Sequence, residues 1–242
     1  YHAKVTQAVA PGEASGSKSI HDLVLAKESG LEALLAYDPV RRASLHDRFP
    51  RVDQGVEEYA TARALEQGDF VDGAFRAEPG ERDGAATLRL VRDGHVWRDG
   101  EACALRITKE LTLPTRGAAF QAALRLENRG ATRFDGRYGS EWNLALLAPD
   151  SPDHRYKIPG VPEAQSHFAS RGETRSVSSW EMHDRHRGFL ARITLSKPAT
   201  LWRAPIETVS LSEGGFERIF QSAALLPLWG MELEHGEAFE VT

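Results

Sequence analysis

The chain has 242 residues, 41% of them apolar and 27% charged, with a formal net charge of −5. That length suits one large all-β domain or two small ones, with apolar mass for a sizeable core. The mild acidity without a basic patch argues against nucleic acid, no apolar run approaches the ~20 residues a membrane span needs, and a single cysteine rules out an internal disulfide framework and suits a reducing, cytoplasmic setting.

The chain starts at Tyr1, without methionine or a visible leader, and so reads as a fragment or a processed piece. Residues 1–18 form a leading segment that ends in the loop-like run Pro11-Gly-Glu-Ala-Ser-Gly-Ser-Lys18. Ser19 then fits a helix N-cap, and Asp22 lies in the first turn, where negative charge suits the helix dipole. Leu23, Ala26 and Lys27 share one helical face and Gly30 is a stop, so one short helix is predicted near the N-terminus. Leu31 to Tyr37 is compatible with helix or strand, and Asp38-Pro39 breaks it. Val56 to Glu66 carries helical spacing.

From about residue 70 the apolar period changes to two. Leu88 and Leu90 alternate with polar residues, and Asp93-Gly94 predicts a hairpin before His95-Val-Trp97, with Asp99-Gly100 a second turn. Leu105, Ile107, Leu111 and Leu113 line one long strand; Phe120, Ala122, Leu124 and Leu126 line the next, and Tyr138, Trp142, Leu144 and Leu146 a third. Residues 149–175 read as a long loop. Alternation resumes at Ser178–Met182, turns at 184–188, and continues through Phe189, Ala191, Ile193 and Leu195. Thr208–Leu211 and Phe216–Gln221 flank Gly214-Gly215 as a hairpin, and Met231–Leu233 and Phe239–Val241 flank His235-Gly236. Many strands with short turns favour an antiparallel arrangement, and about ten strands are best buried as two stacked sheets. Residues 19–242 are read as a single mainly-β domain.

No residue pattern announces catalysis. Glycoside hydrolysis needs two opposed carboxyl groups; Glu207, Glu213 and Glu217 would be candidates, but they sit in or beside a hairpin and also suit solvated positions. Glu141 and Asn143 alternate with Trp142 and Leu144, so they project from the face opposite the apolar one, where they would either bind sugar hydroxyls or form a polar outer face. Trp142, Trp180, Trp202 and Trp229 would stack on a sugar or fill a core. Cys103 reads as a small buried side chain rather than a nucleophile. His183-Asp-Arg-His186 lacks zinc spacing and suits a turn, and the His-Asp steps at 21–22 and 46–47 have no nucleophile to serve. Asp150 and Asp153 would offer oxygens to calcium, or simply be solvated. No cofactor and no phosphate loop is expected.

The motifs Ser19-Ile-His-Asp-Leu-Val-Leu-Ala-Lys-Glu-Ser-Gly-Leu-Glu32, Leu35-Ala-Tyr-Asp38, Arg42-Ala-Ser-Leu-His-Asp47, Gln67-Gly-Asp-Phe70, Lys109-Glu-Leu-Thr-Leu113, Thr208–Glu217 and Gln221 occur in this order. Together they resemble the carboxy-terminal domain of family-57 glycoside hydrolases, the α-amylase and 4-α-glucanotransferase group. The resemblance implies a two-sheet β-supersandwich of the galactose-mutarotase type. It also implies an amino-terminal catalytic barrel, absent from this sequence, as the partner in the same protein. No residue here matches that barrel's two catalytic carboxylates, so no catalytic residue is carried over. Glu141, Trp142, Asn143 and Glu217 are the candidates for contact with an α-glucan. Two rival expectations are a carbohydrate-binding module and a mutarotase-type epimerase with His95, His167 and Glu217 as acid and base.

Overall fold

A computed structural model describes residues 2–6, 8, 25–146, 149 and 151–242. Among them the strands are β1 (His46–Arg48), β2 (Arg76–Arg82), β3 (Ala85–Arg98), β4 (Glu101–Leu113), β5 (Gln121–Asn128), β6 (Phe134–Leu144), β7 (His154–Lys157), β8 (Gly172–Asp184), β9 (Phe189–Ser212), β10 (Gly215–Leu233) and β11 (Ala238–Val241). The helices are short: α1 (His2–Thr6) and α2 (Val56–Ala60). The strands form two antiparallel sheets, one of six in the order β1-β6-β10-β9-β8-β7 and one of five in the order β11-β5-β4-β3-β2. The expected two-layer β architecture is therefore present.

Period-two alternation explains the interior. On β4 and β5 the inward residues Leu105, Ile107, Leu124 and Leu126 are buried against Phe134, Tyr138, Trp229 and Leu233 of the facing sheet. Each such aliphatic side chain contributes roughly 1.5–3 kcal/mol on burial. A second cluster, with Trp180, Met182, Leu201 and Leu225, extends the interior toward β7 and β8. A third lies on the outer face of the six-stranded sheet, where Tyr59 of α2 packs on Trp202, Leu226 and Leu228. α2 starts where the Glu58 carboxylate accepts the Gly55 N–H at 2.9 Å.

Several sequence expectations need correction. Asp93-Gly94 is not a turn: β3 runs through it and pairs with β4 from Ala86 to Arg98. Gly94 is required for close approach instead, since a Cβ there would come within 2.3 Å of Asp69 Oδ1 and 2.8 Å of Phe70 Cζ. Asp99-Gly100 does turn the chain, with φ of +50° and +87°, the pair of positive values a tight hairpin needs. The predicted helix from Ser19 falls partly outside the described residues, which exclude Ser19, His21, Asp22 and Leu23. Its remainder is not helical, because Ala26 forms a parallel bridge to Phe216. Leu31–Leu34 makes a single 3-10 turn, and the helix expected over 56–66 ends at Ala60. The long loop at 149–175 contains β7 and the start of β8. Strand β2, Arg-Ala-Glu-Pro-Gly-Glu-Arg, was not anticipated; it is exposed along its whole length and forms one edge of the five-stranded sheet.

Candidate functional site

Alternation along β6 sends Tyr138, Trp142 and Leu144 toward the interior and Glu141 and Asn143 to the opposite face. That opposite face is not open. Residues 38–66 close over it, and Glu141 is 0% exposed. Its Oε2 accepts from Arg48 Nε at 2.6 Å; its Oε1 accepts from Arg42 Nη1 at 3.0 Å and from Asn143 Nδ2 at 2.8 Å. Burial alone would push this carboxyl up, but Arg48, Arg42 and Asn143 outweigh it and hold it below the usual range. Arg42 also pairs with Asp38 at 2.7 Å and lies 5.2 Å over the Tyr59 ring. Asn143 is held in turn by Ala43 O at 2.7 Å and by two hydrogen bonds with Ser44. Glu66 stands at the border of this cluster. It accepts the Phe49 N–H at 2.6 Å and the Gly68 N–H at 3.2 Å, and burial pushes it up to about 7.

Next to this network, a charged pair crosses between the sheets. Lys109 of β4 meets Asp47 of β1 at 2.6 Å, both buried, and the Tyr138 hydroxyl donates to the other Asp47 oxygen at 2.8 Å. Lys109 also donates to the Leu45 carbonyl and lies 4.6 Å over the Phe75 ring. Leu45 itself has φ of +65°, an uncommon conformation for leucine. Arg48, Glu66 and Lys109 were not site candidates from the sequence, and Asp47 was noted only within the His46-Asp47 step. One signal was available: Lys109 follows Leu105 and Ile107 on the inward face, and an inward charge needs a partner.

The other candidates are dispersed. Trp142 is half-buried, its ring 5.7 Å from Phe120 and its body against the second cluster. Trp180, Trp202 and Trp229 are buried and offer no platform to a sugar. Glu217 is near the far end of the β9–β10 hairpin, paired with Lys27 at 2.6 Å, and Glu213 is exposed in the hairpin's turn. His95 belongs to the five-stranded sheet, His167 to the segment after β7, and Glu217 to the hairpin, so these three stand on different parts of the fold. His183 binds Glu181 at 2.6 Å and His154 pairs with Asp184 at 2.9 Å. Among the described residues no group of three or more His, Cys, Asp or Glu side chains could hold a metal; Asp150 lies outside them. Cys103 is half-buried, and burial raises its thiol above the usual range. A cleft of about 730 Å³ opens where β7 leaves β8, lined by Arg155, Lys157, Arg185 and Arg192 with Glu163 and Glu181. Neither Glu141, Trp142, Asn143 nor Glu217 lines it. The arrangement around Glu141 can fasten a segment to a sheet; its carboxylate is enclosed and fully engaged.

Comparison with known proteins fits this architecture. The family described as "Alpha-amylase/4-alpha-glucanotransferase, C-terminal" matches residues 1–242. The chain is 31% identical to alpha-amylase 1 of Dictyoglomus thermophilum over 243 aligned positions, covering 100% of this chain and 33% of that protein. It is 28% identical to the 4-alpha-glucanotransferase of Thermococcus litoralis, covering 97% of this chain and 31% of that protein. The crystal structure of the Thermococcus litoralis enzyme superposes with a TM-score of 0.67 at 27% identity, over 87% of this chain and 28% of that one. A putative aldose 1-epimerase of Escherichia coli K12 superposes with a TM-score of 0.53 at 16% identity, over 86% of this chain and 80% of that one, a likeness of fold alone. The chain thus spans about a third of the length of the curated relatives it matches. On the family match over its whole length, the chain belongs to the C-terminal domain family of alpha-amylases and 4-alpha-glucanotransferases.

Proposed function

We propose that this chain is the non-catalytic β-sandwich module of an α-1,4-glucan-acting enzyme, either an α-amylase or a 4-α-glucanotransferase. Residues 19–242 are the sandwich domain and residues 1–18 lead into it. The bond-breaking carboxylates belong to an amino-terminal barrel of family-57 type in the same cytoplasmic polypeptide, acting by the retaining route. The sandwich supports that barrel.

The observation that carries this reading is the state of Glu141. A catalytic acid, base or nucleophile must reach a sugar oxygen or the anomeric carbon. Glu141 is enclosed between two guanidinium groups, and its two oxygens accept three hydrogen bonds. Glu217 is likewise engaged by Lys27.

The test is direct. Expressed alone, the 242-residue chain unfolds cooperatively and releases no reducing sugar from soluble starch or maltooligosaccharides. Turnover that Glu217→Ala abolishes while leaving the fold intact would overturn the reading. The glucan-contact candidates would not form one site: Trp142 and Asn143 face opposite sides of β6 and Glu217 lies on the β9–β10 hairpin. Calorimetric titration with maltoheptaose reads any glucan contact by the module, and a flat trace removes it. Acceleration of glucose or galactose mutarotation in a polarimeter would favour the epimerase instead.

A further inference from the structure

The cleft of about 730 Å³ beside β7 and β8 falls within the size range of small-molecule sites. Its charge is uneven. Arg155, Lys157, Arg185 and Arg192 line it against Glu163 and Glu181, an excess of two positive charges in a chain whose net charge is −5. Arg155 and Lys157 come from β7, Arg185 from the turn after β8 and Arg192 from β9, so three elements bring their cations to one place.

One of the two acids is already engaged. Arg192 Nε and Nη2 donate to Glu181 Oε1 at 2.9 and 2.6 Å, and His183 Nε2 lies 2.6 Å from Glu181 Oε2. Three cations then remain against Glu163. Arg155 directs Nη1 to two carbonyls, Ser151 O at 2.7 Å and His154 O at 3.0 Å. Arg185 is tied through its backbone, its N–H donating to Asp153 O at 2.9 Å. Among the described residues, neither these two arginines nor Lys157 forms an ion pair with a carboxylate.

The same wall holds polar groups without partners. Tyr156 and Trp180 line the cleft and are 2% and 1% exposed, yet among the described residues the Tyr156 hydroxyl and the Trp180 indole N–H have no hydrogen-bond partner. Leaving such a group unpaired costs about 1–3 kcal/mol, and native structures keep few of them. Arg203 is buried nearby and binds neutral acceptors alone: Ser170 Oγ at 3.2 Å, Thr174 Oγ1 at 3.3 Å and Gln165 O at 3.5 Å. Its positive field reaches the Tyr156 hydroxyl. A buried guanidinium ordinarily sits against a carboxylate; here the charge adds to that of the cleft instead.

We infer that this cleft binds a phosphate monoester carried on a hydroxylated body, a glucosyl phosphate. A phosphate monoester brings a charge of about −1.5 to −2 and three terminal oxygens. That matches the excess of two positive charges and the three cations without carboxylate partners, whereas a carboxylate would bring a single charge and two oxygens. Arginine and lysine are the side chains suited to such an oxyanion. The cleft is also larger than phosphate alone requires, and Ser179 and Glu163 on its lining supply groups for hydroxyls. The phosphate part of the inference rests on the cleft itself; the glucosyl part rests on the reading of the chain as a module of a glucan-acting enzyme.

The test is calorimetric titration of the full-length protein with glucose 1-phosphate, glucose and inorganic phosphate at fixed ionic strength. Glucose 1-phosphate is expected to bind at least tenfold more tightly than either of the other two. The double variant Lys157→Ala with Arg185→Ala, at exposed positions that do not threaten the fold, is expected to weaken that binding at least tenfold while the thermal midpoint without ligand stays the same. Arg185→Glu provides a second variant with the same expected direction. Arg76→Ala removes one cation from the exposed strand β2 of the other sheet and is expected to leave the affinity unchanged. The inference fails if glucose 1-phosphate gives no binding heat, if the double variant binds it as well as the parent, if Arg76→Ala weakens it as much as the double variant does, or if inorganic phosphate binds as tightly as the ester. None of these results touches the module reading, which stands or falls on starch turnover by the 242-residue chain.

Discussion

The two faces of the six-stranded sheet are closed in different ways. Toward the five-stranded sheet, Tyr138, Trp229 and Leu233 meet Leu105, Ile107 and Leu126 in an apolar interior. On the opposite face, β6 presents Glu141 to Arg42 and Arg48, delivered by a segment about a hundred residues earlier in the chain. The apolar face is held by many small contacts, each replaceable at a modest cost. The charged face carries the apolar cluster under α2 as well, but around β6 it is held by few charged groups whose desolvation has already been met by pairing, so losing one leaves the others stranded. Burial is shared by both faces; tolerance to change is not.

Removing the centre of the charged face should give the largest effect. Glu141→Ala leaves two guanidinium groups without their buried partner and is expected to destabilise the chain by about 3–5 kcal/mol, read by urea unfolding. A double variant, Glu141→Leu with Arg48→Met, should recover part of that loss; if it is worse than the single variant by the full cost of each change, the cluster is not the coupled unit described.

The border of the same face should titrate. Burial raises Glu66 in the folded chain to about 7 from an ordinary value of 4.5. The protonated form is therefore the one the fold favours. Its contribution is complete below about pH 4.5 and is lost as pH rises through 7, a decline on the order of 2–3 kcal/mol. Glu66→Gln should flatten that decline in the thermal midpoint. Glu141 has the opposite sign: its carboxyl is depressed, so its contribution is present above the ordinary range and fades on acidification.

On the apolar face, Ile107→Val removes one methylene from a fully buried position and should cost about 1 kcal/mol in urea unfolding. The smallest effect is expected near the turn of the β9–β10 hairpin. Glu217→Ala breaks a solvent-screened pair with Lys27, and a calorimetric melt should barely move. A larger shift there would mean that the end of the hairpin is coupled to the interior.

The apolar face was readable in the sequence. The alternation at Leu105, Ile107, Leu124 and Leu126 identifies strands, inward positions and antiparallel order together, because each of these side chains has the interior as its sole favourable environment. Glu141 and Asn143 were likewise placed on the correct side of β6. That this side is covered was not readable, because the arginines that cover it are linked to β6 through space and not through any local period. Strand β2 escaped notice for a related reason: with every side chain exposed it carries no apolar rhythm, and its strand character comes from pairing with β3 alone. Asp93-Gly94 misled because the same dipeptide that suits a turn also suits a strand that another segment crosses closely, here Asp69 and Phe70.

The composition of β2 has a consequence for the protein in a crowded cell. It borders the five-stranded sheet with arginine at both ends, glutamates at 78 and 81, and Pro79-Gly80 in the middle. Proline lacks the N–H that an incoming strand would bind, and like charges repel an identical strand laid alongside. The border therefore acts as a guard rail against polymerisation, which keeps a rigid slab of stacked strands from recruiting its own kind.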